Sequence, residues 1–160
     1  MKRHKQLISH NPDQGRWGDC YRTCMAMVMG MDPENVPHFC DGDDKDRSGV
    51  DLAREWLNPQ GFGIWTCFYP EENSLDLILS TFAHLAPGVP VILTGHSPRG
   101  VNHCVVVLDG EVFCDPASGT ANQTPFVGPA ECEGGMKWWW AEVVCRLPHL
   151  TNIDTLEGDG

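Results

Sequence analysis

The sequence has few basic residues and no long apolar run. Its 160 residues include 11 Lys and Arg against 22 Asp and Glu, which gives a formal net charge of −11. Because a protein that binds nucleic acid through its phosphates needs positive charge, this balance argues against a nucleic-acid partner. No apolar run approaches the length of a membrane-spanning helix, so we expect no membrane partner either.

A secretion signal is also lacking, because no apolar stretch follows the basic residues 1–10. We therefore expect a cytoplasmic protein. The chain has eight cysteines, a number that suggests disulfides in a secreted protein. Cytosolic thiols stay reduced, however. Four of the eight lie in apolar, strand-like runs, namely Cys67, Cys104, Cys114 and Cys145. We predict that most of them pack as small hydrophobic residues.

The order of the predicted elements indicates an α+β protein with one domain over residues 1–160. Its core spans about 11–147, and residues 151–160 form a flexible acidic tail. Helices are predicted from Cys20 to Gly30, with Asp19 as the N-cap, and after Ser48 and Ser74, which are suitable N-caps. Strands are predicted at 62–69, 89–93, 101–108, 111–114 and 138–147, and residues 95–100 and 116–137 as loops.

The stretch around Cys20 is typical of a reactive cysteine. Gly18 and Asp19 lead directly into the first predicted helix, which places Cys20 in its first turn. Unpaired N–H groups and the helix dipole stabilise a thiolate there. Gln14 lies six residues upstream, and its side-chain amide can join the Cys20 N–H in binding an oxyanion.

His103 and Asp115 are the candidates for a base and its orienting group. His103 opens an apolar strand, and Asp115 ends the next one, after an Asp109-Gly110 hairpin turn. A regular two-residue hairpin places Asp115 opposite Cys104, on the face away from His103. A bulge, or the end of the strand at residue 116, can bring the carboxylate round. Asp115 would then hold His103 in one tautomer, and His103 would activate Cys20.

These residues resemble the papain-like cysteine peptidase superfamily, particularly compact bacterial and phage members related to bacteriocin-processing peptidases. The resemblance rests on Gln14 six positions before Cys20, on Gly18-Asp19-Cys20 at a helix start, on Asn102-His103 at a strand start, and on Asp115-Pro116 after the next strand. It implies a papain-like fold, in which the nucleophile helix packs on an antiparallel sheet. It also implies a hydrolase of amide, peptide or isopeptide bonds that acts through an acyl-enzyme and needs no cofactor.

By the same resemblance, Cys20 is the nucleophile, His103 the general base and acid, Asp115 the orienting residue and Gln14 the oxyanion donor. The partner is then a peptide or protein substrate. Trp17, Arg99 and Asn102 are candidate substrate-binding residues because they flank the nucleophile and the histidine in sequence. Core packing for tryptophan, and a solvated loop for Arg99, are the alternatives. Acyl transfer to an amine would use the same residues.

Two other functions are compatible with the sequence. An acidic, catalytically inert binding or inhibitor protein could use the papain-like core as a scaffold. A zinc protein could draw ligands from Cys20, Cys24, His38, Cys40, His96, His103 and Cys114. The zinc hypothesis is weaker because no Cys-x2-Cys pair is present, so we expect no metal. Neither substrate identity nor oligomeric state follows from the sequence.

Overall fold

The structure is a computed structural model that describes residues 1–42 and 47–148. The acidic tail predicted at 151–160 lies outside these residues. In the described part, the helices are α1 (Cys20–Met29), α2 (Gly49–Leu57) and α3 (Leu75–Leu85). The strands are β1 (Phe62–Pro70), β2 (Val91–His96), β3 (Asn102–Leu108), β4 (Glu111–Cys114), β5 (Gly128–Glu131) and β6 (Lys137–Arg146).

The six strands form one sheet in the order β1-β6-β5-β2-β3-β4. Every neighbouring pair is antiparallel, and β6 also pairs directly with β2. The predicted α+β class is therefore confirmed. Among residues 1–42 and 47–148, none of the helices has the length and apolar character that crossing a membrane requires.

Helices cover the sheet on both faces. Residues of α1 and α2 form one buried cluster with Ile92 and Val106 of the sheet. Residues of α3 form a second cluster with Leu93 and Val105. The clusters alternate along β2 and β3 because successive side chains of a strand point to opposite faces. The nucleophile candidate is thus carried by the helix that packs against β3.

Helix α1 begins and ends where the sequence predicts. Cys24 and Met27 of the predicted apolar stripe are fully buried. Gly30 has a φ of 69° and donates its N–H to the carbonyls of Ala26 and Met27, as expected of a C′ glycine. The tight packing of this helix fixes the position of its first residue, Cys20, relative to the sheet.

Asp19 occupies the N-cap position of α1 but its side chain does not cap the helix. Its carboxylate instead accepts hydrogen bonds from the backbone N–H groups of Leu7 (3.3 Å) and Ile8 (2.8 Å) and pairs with Arg22. The predicted N-cap position is therefore confirmed, but the Asp19 side chain is almost fully buried and holds the N-terminal segment in place instead of capping the helix. As a result, the Asp19 side chain leaves the N-terminus of α1 uncapped.

Replacing Asp19 by alanine is expected to lower the free energy of unfolding by about 3–5 kcal/mol, because it leaves Arg22 with an unpaired, largely buried charge. It also removes the acceptor for two backbone N–H groups. Urea denaturation measures the loss. Asp32→Ala is the control, since the Asp32 carboxylate is exposed and its contacts are with Lys2 and, at 3.8 Å, with His4. Equal shifts of the two unfolding midpoints would contradict the role of Asp19.

A β-bulge in the β3–β4 hairpin decides where Asp115 lies. Val107 is opposite Val112, but Val106 is opposite Cys114, so Phe113 is an extra residue in β4. With this shift, Asp115 continues on the face of Val105, which is also the face of His103. The regular register that placed Asp115 opposite Cys104 is therefore corrected, and the bulge alternative holds.

Strand β5 and the end of β2 lie where loops were predicted. The β5 sequence, Gly-Pro-Ala-Glu, has no strand-forming pattern. It is held by Asn102, whose side-chain amide donates to the Glu131 carbonyl (2.7 Å) and accepts from the Glu131 N–H (2.9 Å). The Val127 N–H also donates to the carbonyl of His96 (2.8 Å). Strand β5 is therefore held by long-range hydrogen bonds, which a local sequence pattern does not predict.

Candidate active site

His103 and Asp115 are joined by a short hydrogen bond at the start of β3. His103 Nε2 donates to Asp115 Oδ1 at 2.6 Å, and both side chains are buried. The Ala117 N–H donates to the same oxygen at 2.8 Å, and Asn122 Nδ2 donates to Oδ2 at 2.8 Å. Asp115 is therefore fixed on both oxygens, and Nδ1 is the ring nitrogen of His103 that remains for other chemistry.

The carboxylate and the imidazole each change the pKa of the other. Burial alone would raise the pKa of Asp115, but hydrogen bonds from His103 and Asn122 outweigh it and lower the pKa to about 2. Burial opposes charging of His103, but hydrogen bonds to Asp115 and Cys20 raise its pKa to about 9. An imidazolium between two anionic partners is thus the stable form near neutral pH.

Cys20 lies beside both His103 and Cys104. A hydrogen bond to the Cys104 thiol is the largest influence, and it lowers the pKa of Cys20. Burial opposes this, while the charge and hydrogen bond of His103 add to it, so that the pKa falls well below 9.0. The pKa of Cys104 rises in turn, because it faces the Cys20 thiolate and is buried. By these directions, Cys20 is the more acidic thiol of the pair.

A cavity of about 540 Å³ opens over Cys20. The predicted residues that line it are Trp17, Cys20, Arg99, Asn102 and His103. Asp115 lies behind His103, away from the cavity, as an orienting residue must. The structure thus brings together the predicted nucleophile, histidine and aspartate. Trp140, which follows the buried Trp139, lines the cavity as well.

Gln14 is not brought to this cavity. It lies in the exposed turn Pro12–Gln14, where its Oε1 accepts from Arg16 Nη2 at 2.6 Å.

Gln6 lines the cavity instead. Its backbone N–H donates to the Pro116 carbonyl (2.8 Å), and its Nε2 donates to the Ile8 carbonyl (2.8 Å), which leaves the second N–H of the amide for a ligand. The spacing to Cys20 could not identify Gln6. Its position depends on the hydrogen bonds from the backbone of Leu7 and Ile8 to the Asp19 carboxylate, which join residues more than ten positions apart.

The three candidate substrate-binding residues have different surroundings. Trp17 is 51% exposed and lies 5.4 Å from the His10 ring, centroid to centroid. It also packs closely on Gly42, where a Cβ would come within 2.1 Å of the indole nitrogen. Arg99 lies in the turn between β2 and β3, at the rim of the cavity. Asn102 uses its amide to hold β5, so its side chain acts as a structural tether.

The metal ligands proposed as an alternative do not converge. Among the residues that the structure describes, no group of three or more His, Cys, Asp or Glu side chains is arranged to hold a metal ion. All eight cysteines are free of disulfides.

Comparison with known proteins gives no match to a protein-family model, a curated protein or a solved structure.

Proposed function

We propose that this protein is a cysteine hydrolase with a papain-like site, acting on an amide, peptide or isopeptide bond of a peptide or protein. One observation carries the proposal: Cys20, at the uncapped start of a buried helix, contacts a histidine whose other nitrogen is held by a buried aspartate. Nucleophile, base and orienting group in this order are the parts that acyl transfer needs. The papain-like fold and the cytoplasmic location belong to the same proposal.

Acylation follows from the ion pair. The Cys20 thiolate attacks the substrate carbonyl, and the oxyanion that forms is bound by the free N–H of Cys20 and the amide of Gln6. His103 then gives its Nδ1 proton to the leaving amine, and the C–N bond breaks. An acyl-enzyme remains on the Cys20 sulfur, and His103 is neutral.

Deacylation reverses the roles. Neutral His103 takes a proton from a water molecule, which attacks the thioester carbonyl. The C–S bond breaks, the acid leaves, and the thiolate–imidazolium pair is restored. An amine in place of water would give transfer instead of hydrolysis. Trp17 and Trp140 offer apolar cavity wall for the substrate, and Arg99 offers a positive charge at the rim.

Acylation of Cys20 by p-nitrophenyl acetate tests the proposal without knowledge of the natural substrate. We expect a burst of p-nitrophenolate equal to the enzyme concentration and an acetyl group on Cys20. Trypsin releases Cys20 alone in the peptide 17–22, because it cuts after Arg16 and Arg22. The Cys20→Ala variant is the control. Release no faster than with this variant, or acetylation spread over lysines, would instead favour an inert papain-like scaffold.

Replacing Gln6 by alanine is expected to slow the acylation step by about 10²- to 10³-fold, because one oxyanion donor is lost. Gln14→Ala changes the same side chain at the exposed position and should leave the rate within about two-fold, the range of ordinary surface substitutions. The burst rate with p-nitrophenyl acetate measures both. A larger loss at position 14 than at position 6 would return the oxyanion role to Gln14.

A further inference from the structure

Cys104 is a second thiol in direct contact with the candidate nucleophile. The interaction between the two thiols is the largest influence on the pKa of each, and both thiols line the cavity. Cys104 is 8% exposed and belongs to the buried cluster on which Cys20 packs. Its Sγ also lies 3.3 Å from the hydroxyl of Thr94. Acylation and deacylation need only the Cys20 thiol to react, so they do not explain why a second thiol lies beside it.

We propose that Cys104 is a resolving thiol, which closes a reversible disulfide with Cys20 when a hydroperoxide oxidises the site. The inference rests on the proposed function only in taking Cys20 as the reactive thiolate. It adds a modification site and a reversible off-state to that function. The partner oxidant is a hydroperoxide, and the partner reductant is a dithiol.

The chemistry balances in two steps. The Cys20 thiolate attacks the terminal oxygen of the hydroperoxide, whose O–O bond breaks, and the alkoxide or hydroxide leaves and takes up a proton. Cys20 is then a sulfenic acid. The Cys104 sulfur attacks that sulfur, the S–O bond breaks, and water leaves with the Cys104 proton. Two thiols have lost two electrons, and one peroxide has gained them.

Contact between the thiols favours this pairing over the other nearby cysteines. A disulfide needs Cβ atoms about 3.5–4.5 Å apart. Cys24 is four residues along the same helix, where Cβ atoms are about 5–6 Å apart and the rigid backbone resists closure. Cys40 lines the same cavity, but its Sγ rests against Gly49, at the start of α2. Cys104 alone of the three shares a hydrogen bond with Cys20.

The disulfide would have two effects. It removes the thiolate, so that acylation stops, and a dithiol restores it by exchange. It also keeps Cys20 from further oxidation to the sulfinic acid, which reductants do not reverse. A protein with Cys104 should therefore recover from peroxide, and one without it should not.

Peptide mapping after peroxide treatment tests the pairing. The full-length protein is treated with hydrogen peroxide, blocked with N-ethylmaleimide and digested with trypsin and chymotrypsin without reductant. We expect a peptide from within residues 17–22 that carries Cys20, linked to a peptide that carries Cys104, in the wild-type protein and in the Cys40→Ser control alike. Cleavage after Leu108 separates Cys104 from Cys114. No linked peptide, or linkage of Cys20 to Cys40 or Cys24, would overturn the proposal.

Recovery of the p-nitrophenyl acetate burst is the second readout. Each protein is compared with its own untreated burst, since Cys104 also contacts the nucleophile. After dithiothreitol we expect nearly full recovery in the wild-type and Cys40→Ser proteins. The Cys104→Ser variant should recover less than about a tenth and show Cys20 as sulfinic acid. Equal recovery in all three would contradict a resolving role.

The two proposals can fail separately. A linked Cys20–Cys104 peptide from a protein that shows no burst before treatment would reject the hydrolase and keep the disulfide. A full burst in a protein that forms no linked peptide would reject the disulfide and keep the hydrolase. The mapped wild-type protein decides the pairing even where a variant fails to fold.

Discussion

Replacing His103 by alanine is expected to reduce steady-state hydrolysis of p-nitrophenyl acetate by about 10⁴-fold at pH 7. Two losses combine. Without the imidazolium, the pKa of Cys20 rises, and less thiolate is present at neutral pH. Deacylation also loses the base that activates water. The combined variant with Cys20→Ala should be no worse than Cys20→Ala alone, because the two residues act as a unit.

His96→Ala is the matched control for this experiment. His96 lines the same cavity and lies opposite Asn102 on the neighbouring strand. It shares the residue type and the location of His103, but it does not form the hydrogen bond to Asp115. We expect its replacement to change turnover by less than about ten-fold. Comparable losses in the two variants would mean that the cavity needs both histidines and would remove the special role of His103.

Replacing Asp115 by alanine is expected to reduce the same turnover by about 10²-fold, the lower end of what a positioned acid–base group contributes. The His103 ring would lose the acceptor that fixes its orientation, and its buried Nε2–H would have no partner. The hydrogen bonds from Ala117 and Asn122 would be lost too.

Asp115→Asn separates charge from shape in that role. The amide can still accept from His103 Nε2, but the negative charge that raises the pKa of His103 is gone. The pKa of His103 should therefore fall from about 9, so the imidazolium is lost at lower pH. With less positive charge beside it, Cys20 should become a thiolate only at higher pH. Alkylation of Cys20 by iodoacetamide, followed against pH, measures this shift. An unchanged midpoint would show that Asp115 acts by geometry alone.

Local patterns in the sequence were sufficient to place Cys20 at the start of a helix and to predict most elements. The helix from Cys20 to Met29 and its end at Gly30 depend on apolar spacing and on one glycine, which act within a few residues. The Asp109-Gly110 turn is equally local, and both residues have a positive φ, as a tight hairpin requires. The α+β class follows from the order of such elements.

The relation of His103 to Asp115 could be predicted only as two alternatives. Which one holds depends on the bulge at Phe113, which shifts the register between β3 and β4. No residue pattern announces it. Gly95, opposite His103, shows the same dependence: a Cβ there would come within 2.6 Å of Trp139 and 2.9 Å of Phe126. The need for glycine at position 95 therefore follows from the packing of these two rings and could not be predicted from the sequence.

Sequence patterns could not predict that Gln6 lines the cavity or that Asn122 contacts Asp115. Gln6 reaches the cavity because buried Asp19 binds the backbone of Leu7 and Ile8. Asn122 reaches Asp115 because the chain turns sharply after residue 115, where the Gly119 N–H donates to the Asp115 carbonyl at 2.8 Å. Both depend on chain reversals rather than on spacing. A fixed distance of six residues before the nucleophile therefore selected Gln14, which the structure leaves on the surface.

We propose that His103 holds Cys20 as a thiolate, and the pH dependence of Cys20 alkylation by iodoacetamide measures this directly. Mass spectrometry of the peptide 17–22 isolates Cys20, and Cys40 of the same cavity serves as the internal comparison. Partial desolvation raises the pKa of Cys40 above its ordinary value, whereas that of Cys20 is well below 9.0. We predict that Cys20 reaches half its maximal rate well below pH 9, and that His103→Ala removes this reactivity. Alkylation of Cys20 that begins only above pH 9, with or without His103, would contradict this role of His103.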